Sequence, residues 1–360
     1  MKTLSGTSPS RPDATTASRK ADHLRINADL DVGAKGIGNG FERYVFVHKA
    51  LPGFDLADVD TSTTFLGRRL AAPLLISCMT GGTPEGARIN RILAAVAAEY
   101  GLAMGLGSGR AALESSQTLA TFDVRPLAPD VPLLANLGAV QLNKGYGAGD
   151  CRRLVERLRA DALVLHLNAL QEALQPEGDT CFRGVLGKIA ELCAAVDFPV
   201  VVKEVGWGIP PDDVRRLFDA GASAVDVAGA GGTSWSEVER HRIAEPWRER
   251  VAAAFAGWGI PTAEALRQAR AVAPDETILA SGGITKGLDV AKAMALGADL
   301  VGIAGPFLRA ADAGEERAGE LAREIVETLR VAMFVLGTPA LRDLRGTARL
   351  LDTQASAGHG

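Results

Sequence analysis

Short, almost continuously apolar runs recur along the chain, each followed by a longer stretch in which apolar residues return every three or four positions. The runs occupy 72–79, 102–108, 132–139, 162–169, 199–206, 224–232, 276–283 and 300–308. They are rich in Val, Ile and Leu and lack the strict alternation of a half-exposed strand, which predicts strands buried on both faces. The stretches between them, such as 88–101, 211–221 and 287–298, read as amphipathic helices, and several end on Gly, the residue that most easily closes a helix. Eight strand–helix units over roughly 250 residues predict an α/β protein built as one (β/α)8 TIM barrel. A doubly wound open sheet is the alternative, disfavoured because the units are evenly spaced and no second domain is visible.

The barrel is expected over 72–345. Residues 1–18, rich in Ser, Thr, Pro and Ala with hardly an apolar anchor, read as a disordered tail, and 346–360 as a C-terminal tail. Residues 19–71 form an N-terminal extension, of which 40–70 are expected to make a short β-rich cover over the barrel floor. An apolar share of 47% supplies a large core, and a formal net charge of −4 argues against a nucleic-acid or anionic-membrane surface. The N-terminus has no apolar leader, and no apolar run approaches the roughly 18 residues of a membrane span. A soluble, cytoplasmic protein acting on a small molecule is expected, with no nucleic-acid or membrane partner. Cys78, Cys151, Cys181 and Cys193 show no metal-binding spacing and read as reduced, buried thiols.

In such a barrel the C-terminal ends of the strands carry the chemistry. Here those ends read Met79-Thr80-Gly81-Gly82, Gly107-Ser108-Gly109-Arg110, Asn136, His166-Leu167-Asn168 with Gln171-Glu172, Lys203-Glu204, Gly229 to Thr233, Ser281 to Thr285, and Ala304-Gly305. Nearly every end offers a hydrogen-bonding group or a glycine turn. The last two lead into helix N-termini, where unpaired N–H groups and the positive dipole end suit a phosphate. Lys203 interrupts an otherwise apolar strand and needs an anionic partner. A Schiff-base lysine and a cation beside a flavin ring are both open readings. His166 and Asn168 share one face at period two, and Gln171 and Glu172 follow at the same exit. Ahead of the barrel, Arg19, Lys20 and His23 fall within five residues, a candidate clamp for a diphosphate with Arg110 as a further cation.

Taken together, RKADH (19–23), GFERYVFVHKALPGFDLADVD (40–60), STTFLGRRLAAPLLISCMTGG (62–82), GLGSGR (105–110), HLNALQEALQPEGD (166–179), VVKEVG (201–206), GAGGTSW (229–235) and SGGITKGLDVAKAMALGAD (281–299) resemble the type 2, FMN-dependent isopentenyl-diphosphate delta-isomerases. The resemblance implies a flavoprotein of isoprenoid biosynthesis. It would interconvert isopentenyl and dimethylallyl diphosphate using reduced FMN and Mg2+, with NAD(P)H only as flavin reductant. It also implies a homo-oligomer, a tetramer or an octamer. FMN would be held by Met79, Thr80, Gly81, Ser108, Asn136, Lys203 and Thr233, with its phosphate at Gly283, Ile284, Thr285, Ala304 and Gly305. The substrate would meet Arg19, Lys20, His23, Ser108, Arg110, His166, Asn168 and Gln171, with Gln171 and His166 nearest the reacting carbons and Glu172 binding Mg2+. One departure stands out: Ala228 lies where the family often has Ser. The rival function is an FMN-dependent 2-hydroxy-acid oxidase or dehydrogenase, whose His base and Arg partners would have to come from Arg240, His241 and Arg242.

Overall fold

The structure, a computed structural model, describes residues 14–354. Three short strands precede the barrel: β1 (Tyr44–Phe46), β2 (Thr63–Phe65) and β3 (Arg68–Leu70). Eight more follow, each at one of the apolar runs: β4 (Leu74–Ile76), β5 (Ala103–Gly105), β6 (Leu133–Gly138), β7 (Ala162–His166), β8 (Val200–Lys203), β9 (Ala224–Asp226), β10 (Ile278–Ala280) and β11 (Leu300–Ile303). All neighbours are parallel, and β11 pairs with β4 to close the barrel. A last strand, β12 (Leu350–Asp352), pairs antiparallel with β1.

The helices follow local sequence rules. In Pro84–Tyr100, Pro84 takes the first turn, the Thr83 hydroxyl accepts a bond from the Gly86 amide, and Gly101 ends the helix in a left-handed conformation. Its buried stripe, Ile89, Leu93 and Val96, packs on the outside of the barrel. Removing the Thr83 hydroxyl costs about 1 kcal/mol by the usual value of such caps.

Inside the barrel, Leu75, Ala103, Leu134, Ala162, Val164, Val201, Ala224, Leu279 and Leu300 form an apolar plug. Phe65 and Leu70 of the β2–β3 hairpin seal it from below. That hairpin is the expected cover of the floor. The rest of the extension is not β-rich: a helix, Ala14–Asp29, and two single 3-10 turns dominate it. This helix starts inside the stretch expected to be a tail, because Ile26 finds apolar partners in Val32, Val238 and Trp235. Residues 1–13 of that stretch lie outside the described residues. The C-terminal stretch is likewise partly ordered, since β12 pairs with β1 and Arg43 is bonded to Asp352. Among the described residues all four cysteines are free; Cys151 is buried, Cys78 and Cys193 are half-buried, and Cys181 is exposed, against the expectation of burial, because it sits in the loop after Asp179 rather than on a packed element. No helix among the described residues is long and apolar enough to cross a membrane.

Candidate active site

Side chains alternate along a strand, so the residue two places beyond each plug residue also points inward. Those positions are Ser77, Gly105, Asn136, His166, Lys203, Asp226, Ser281 and Gly302. Six of the eight are polar, and the two glycines leave room for neighbours. A Cβ on Gly302 would stand 2.5 Å from Ser77 Oγ, and one on Gly105 would collide with Cys78 Sγ. The plug therefore gives way to a polar layer, and above it opens a cavity of about 770 Å³.

His166 Nδ1 lies 2.8 Å from Asn136 Oδ1. With the amide oxygen as acceptor, the proton belongs on Nδ1 and Nε2 is left as an acceptor. Burial, and then the charge of Lys203, pushes the His166 pKa down to about 3, so the ring is neutral. Cys78 is held as the thiol by burial, although Lys203 and a bond to Asn136 oppose this.

The exit of β7 starts a second network. Asn168 Nδ2 donates to Gln171 Oε1 at 3.2 Å and to Glu172 Oε1 at 2.9 Å, while Glu172 Oε2 accepts from the Asp179 amide at 2.6 Å. Gln171 Nε2 donates to Glu239 Oε1 at 3.0 Å. Glu239, fully buried on the helix Trp235–Arg240, also accepts from Arg242 at 2.8 Å. His23 Nε2 stands 2.9 Å from the same Oε1, off the line of a hydrogen bond. Burial raises the Glu239 pKa, but His23, Gln171 and Arg242 outweigh it and the net shift is downward. Glu239 is thus an anion that fixes the Gln171 amide with its nitrogen toward the carboxylate.

The helix Ala14–Asp29 crosses the cavity mouth and brings the basic cluster in. Lys20 Nζ donates to Ser108 O at 3.1 Å and sits 5.3 Å from the centre of the Phe122 ring. Gly82, at φ +88°, makes room for it: a Cβ there would stand 2.7 Å from Lys20 Nζ. Burial first, then the charges of Arg19 and Arg110, pushes the Lys20 pKa down to about 8. The Arg19 pKa is lowered too, by burial and then by Arg110. The Gln175 amide, turned so that its oxygen faces Arg19 Nη1 at 3.0 Å, links this cluster to Glu239 at 3.3 Å.

Elsewhere on the cavity wall, the turns Ser281–Thr285 and Ala304–Gly305 lead into the helices Gly287–Ala295 and Gly305–Ala313. Gly282 and Gly283 have φ of +104° and +68°, and a Cβ on either would strike the backbone of the loop Gly229–Gly232. Loop-on-loop packing therefore requires these glycines, whatever the ligand. Two helix N-termini still converge on one end of the cavity, as an anion site requires.

Every site residue expected from the sequence lines this cavity: Arg19, Lys20, His23, Met79, Thr80, Gly81, Ser108, Arg110, Asn136, His166, Asn168, Gln171, Glu172, Lys203, Thr233, Gly283, Ile284, Thr285, Ala304 and Gly305. Glu239 and Arg242 were not anticipated in this setting. The one signal in the sequence is the polar stretch SWSEVERHR (234–242) that follows the sixth barrel strand. Of the residues a 2-hydroxy-acid oxidase would need, His241 is exposed and lines no part of the cavity, and Arg240 is paired with Glu237 and Glu249. Three buried atoms on residues that line the cavity lack a hydrogen-bond partner among the described residues: His23 Nε2 and, open to a ligand, Ser77 Oγ in the polar layer and Asn168 Oδ1 beside Glu172. Of the last two, each suits a different group. The first suits a polar ring edge above the layer. The second, with Glu172, offers oxygen donors of the kind Mg2+ takes, although no three-residue His/Cys/Asp/Glu metal cluster occurs among the described residues.

Residues 169–351 match the FMN-dependent dehydrogenase family. An isopentenyl-diphosphate delta-isomerase of Synechococcus sp. is 54% identical, covering 91% of this chain and 94% of its own. Another, of Nostoc sp., is 50% identical over 94% and 96%. Among solved structures, a lactate oxidase of Pediococcus acidilactici matches with a TM-score of 0.67 at 18% identity, covering 93% of both chains. A mandelate oxidase matches with 0.64 at 21%, covering 94% of this chain and 97% of its own. At those identities the likeness to the oxidases is one of fold.

Proposed function

The chain belongs to the isopentenyl-diphosphate delta-isomerase family, and on that premise we propose that it interconverts isopentenyl and dimethylallyl diphosphate using reduced FMN and Mg2+. NAD(P)H would serve only to reduce the flavin. FMN would lie over the polar layer, with Met79, Thr80, Gly81, Ser108, Asn136, Lys203 and Thr233 around its ring and ribityl chain. Its phosphate would rest on the turns at Gly283–Thr285 and Ala304–Gly305. When bound, the reduced flavin supplies an electron-rich face and an exchangeable proton next to the alkene. Glu172, with Asn168 beside it, would hold Mg2+, whose remaining ligands come from diphosphate oxygens and waters.

The chain's own residues divide the remaining work. Arg19, Lys20 and Arg110 bind the diphosphate through charge-assisted hydrogen bonds, which offset its lost hydration. Closure of the mouth by the helix Ala14–Asp29 keeps water from a cationic carbon. Gln171 stands at the reacting end with Nε2 held on Glu239, so its second amide hydrogen is free to face the substrate. An amide is too weak an acid to start the reaction alone; Gln171 orients and relays. His166, neutral with Nε2 unprotonated, accepts a hydrogen bond near the same end.

The observation that carries this reading is the basic cluster of Arg19, Lys20 and Arg110 at the mouth of the cavity that also holds Gln171 and Glu172. A 2-hydroxy-acid oxidase would instead need His241 in the cavity, which it does not line. Incubating reduced, Mg2+-loaded protein with isopentenyl diphosphate and analysing the product tests it. Dimethylallyl diphosphate is expected; no isomer, together with turnover of lactate or mandelate, would overturn the proposal.

A further inference from the structure

Two of the eight positions in the polar layer carry a formal charge, and they are neighbours. Lys203 on β8 and Asp226 on β9 are register partners, both pointing into the barrel. Asp226 is 1% exposed. Its carboxylate is bonded to Ser281 Oγ, at 2.8 and 2.9 Å from its two oxygens, and accepts from the Ala228 amide at 3.1 Å. Both donors are neutral, and a buried carboxylate without a compensating cation is costly. Lys203 makes one hydrogen bond, to the Glu204 carbonyl; the Glu204 carboxylate feels its charge but is taken up by the Val205, Gly206 and Trp207 amides, so no carboxylate is in contact with the ammonium among the described residues. The neighbour of Lys203 on its other side, His166, is neutral and cannot share the task.

Side chains of register partners start about 5 Å apart. That is within the range over which opposite charges stabilise each other's ionised state. Ala228 adds a second observation: it holds a left-handed φ of 38°, unusual for a non-glycine, while presenting its amide to Asp226. Such strain persists only where the surroundings fix it.

We infer that Asp226 is the counter-charge of Lys203, a positioning residue that holds the ammonium in the floor of the cavity and balances its field beneath the bound ring. The pairing itself stands on the fold; its effect on the ring rests on the proposed FMN site. Ser281 and the strained Ala228 amide orient the carboxylate, so the floor is a neutral ion pair rather than a lone cation.

The test is a double-variant cycle with Asp226→Asn, Lys203→Met and the two combined. In flavin-free protein each single variant should lower Tm, and the combined variant should lose clearly less than the sum. In FMN-loaded protein the flavin potential should move in opposite directions. It should become more positive when the anion is removed and more negative when the cation is removed, with the combined variant near wild type. A residue that only supports the fold would not give opposite signs. Additive Tm losses, or potentials that move the same way, would overturn the pairing. If Asp226→Asn alone yields no soluble protein, recovery in the combined variant supports the pair, and failure to recover while Lys203→Met folds overturns it. Wild-type protein that binds no FMN would sink the functional proposal, while the flavin-free cycle would still decide the pairing.

Discussion

In the proposed diphosphate clamp, Lys20 should make substrate binding sensitive to pH in a calculable way. Its ammonium is seated on the Ser108 carbonyl and beside Phe122, and burial together with Arg19 and Arg110 brings its pKa from 10.5 to about 8. A diphosphate binds the charged form. In free enzyme, about half of Lys20 is neutral at pH 8 and about nine-tenths at pH 9, so kcat/KM should fall about tenfold per pH unit above 8. The bound diphosphate pulls the pKa back up, so kcat should stay level across the same window while KM rises. A tenfold loss corresponds to about 1.4 kcal/mol of binding. Stability should move the other way. The unfolded chain keeps the proton up to 10.5 while the folded protein releases it near 8. The unfolded state therefore binds more protons between those values, and the unliganded fold gains stability as pH rises through them. The assay is steady-state isomerisation from about pH 7 to 10, with Lys20→Arg as control, since a guanidinium keeps its charge throughout. A flat kcat/KM in the wild type, or the same decline in Lys20→Arg, would refute the reasoning.

Glu172→Gln should raise the Mg2+ concentration needed for half-maximal activity, and full activity of this variant in chelator would remove Glu172 from the metal site. Deleting residues 1–13 should leave KM unchanged, whereas deleting 1–20 removes Arg19 and Lys20 and should raise KM sharply. Each lost contact to the diphosphate costs about 1.5–3 kcal/mol, and an unchanged KM after the longer deletion would contradict the clamp.

Periodicity alone determined the barrel. Eight apolar runs buried on both faces, separated by amphipathic helices, leave few other ways to satisfy every strand, and parity along each strand sent Asn136, His166 and Lys203 to the cavity floor. The same parity applies to Ser77, Asp226 and Ser281, but one strand read at a time does not show that their ends meet in one layer; closure of β11 on β4 does that. Tertiary structure alone decided that the helix Ala14–Asp29 crosses the mouth, because its order depends on Ile26 meeting Val32, Val238 and Trp235. It also decided that Glu239 reaches Gln171, 68 positions away, and that β12 returns to β1. Local pattern records which face of an element is buried. It does not record which distant element covers that face, since this depends on the path of every loop between them.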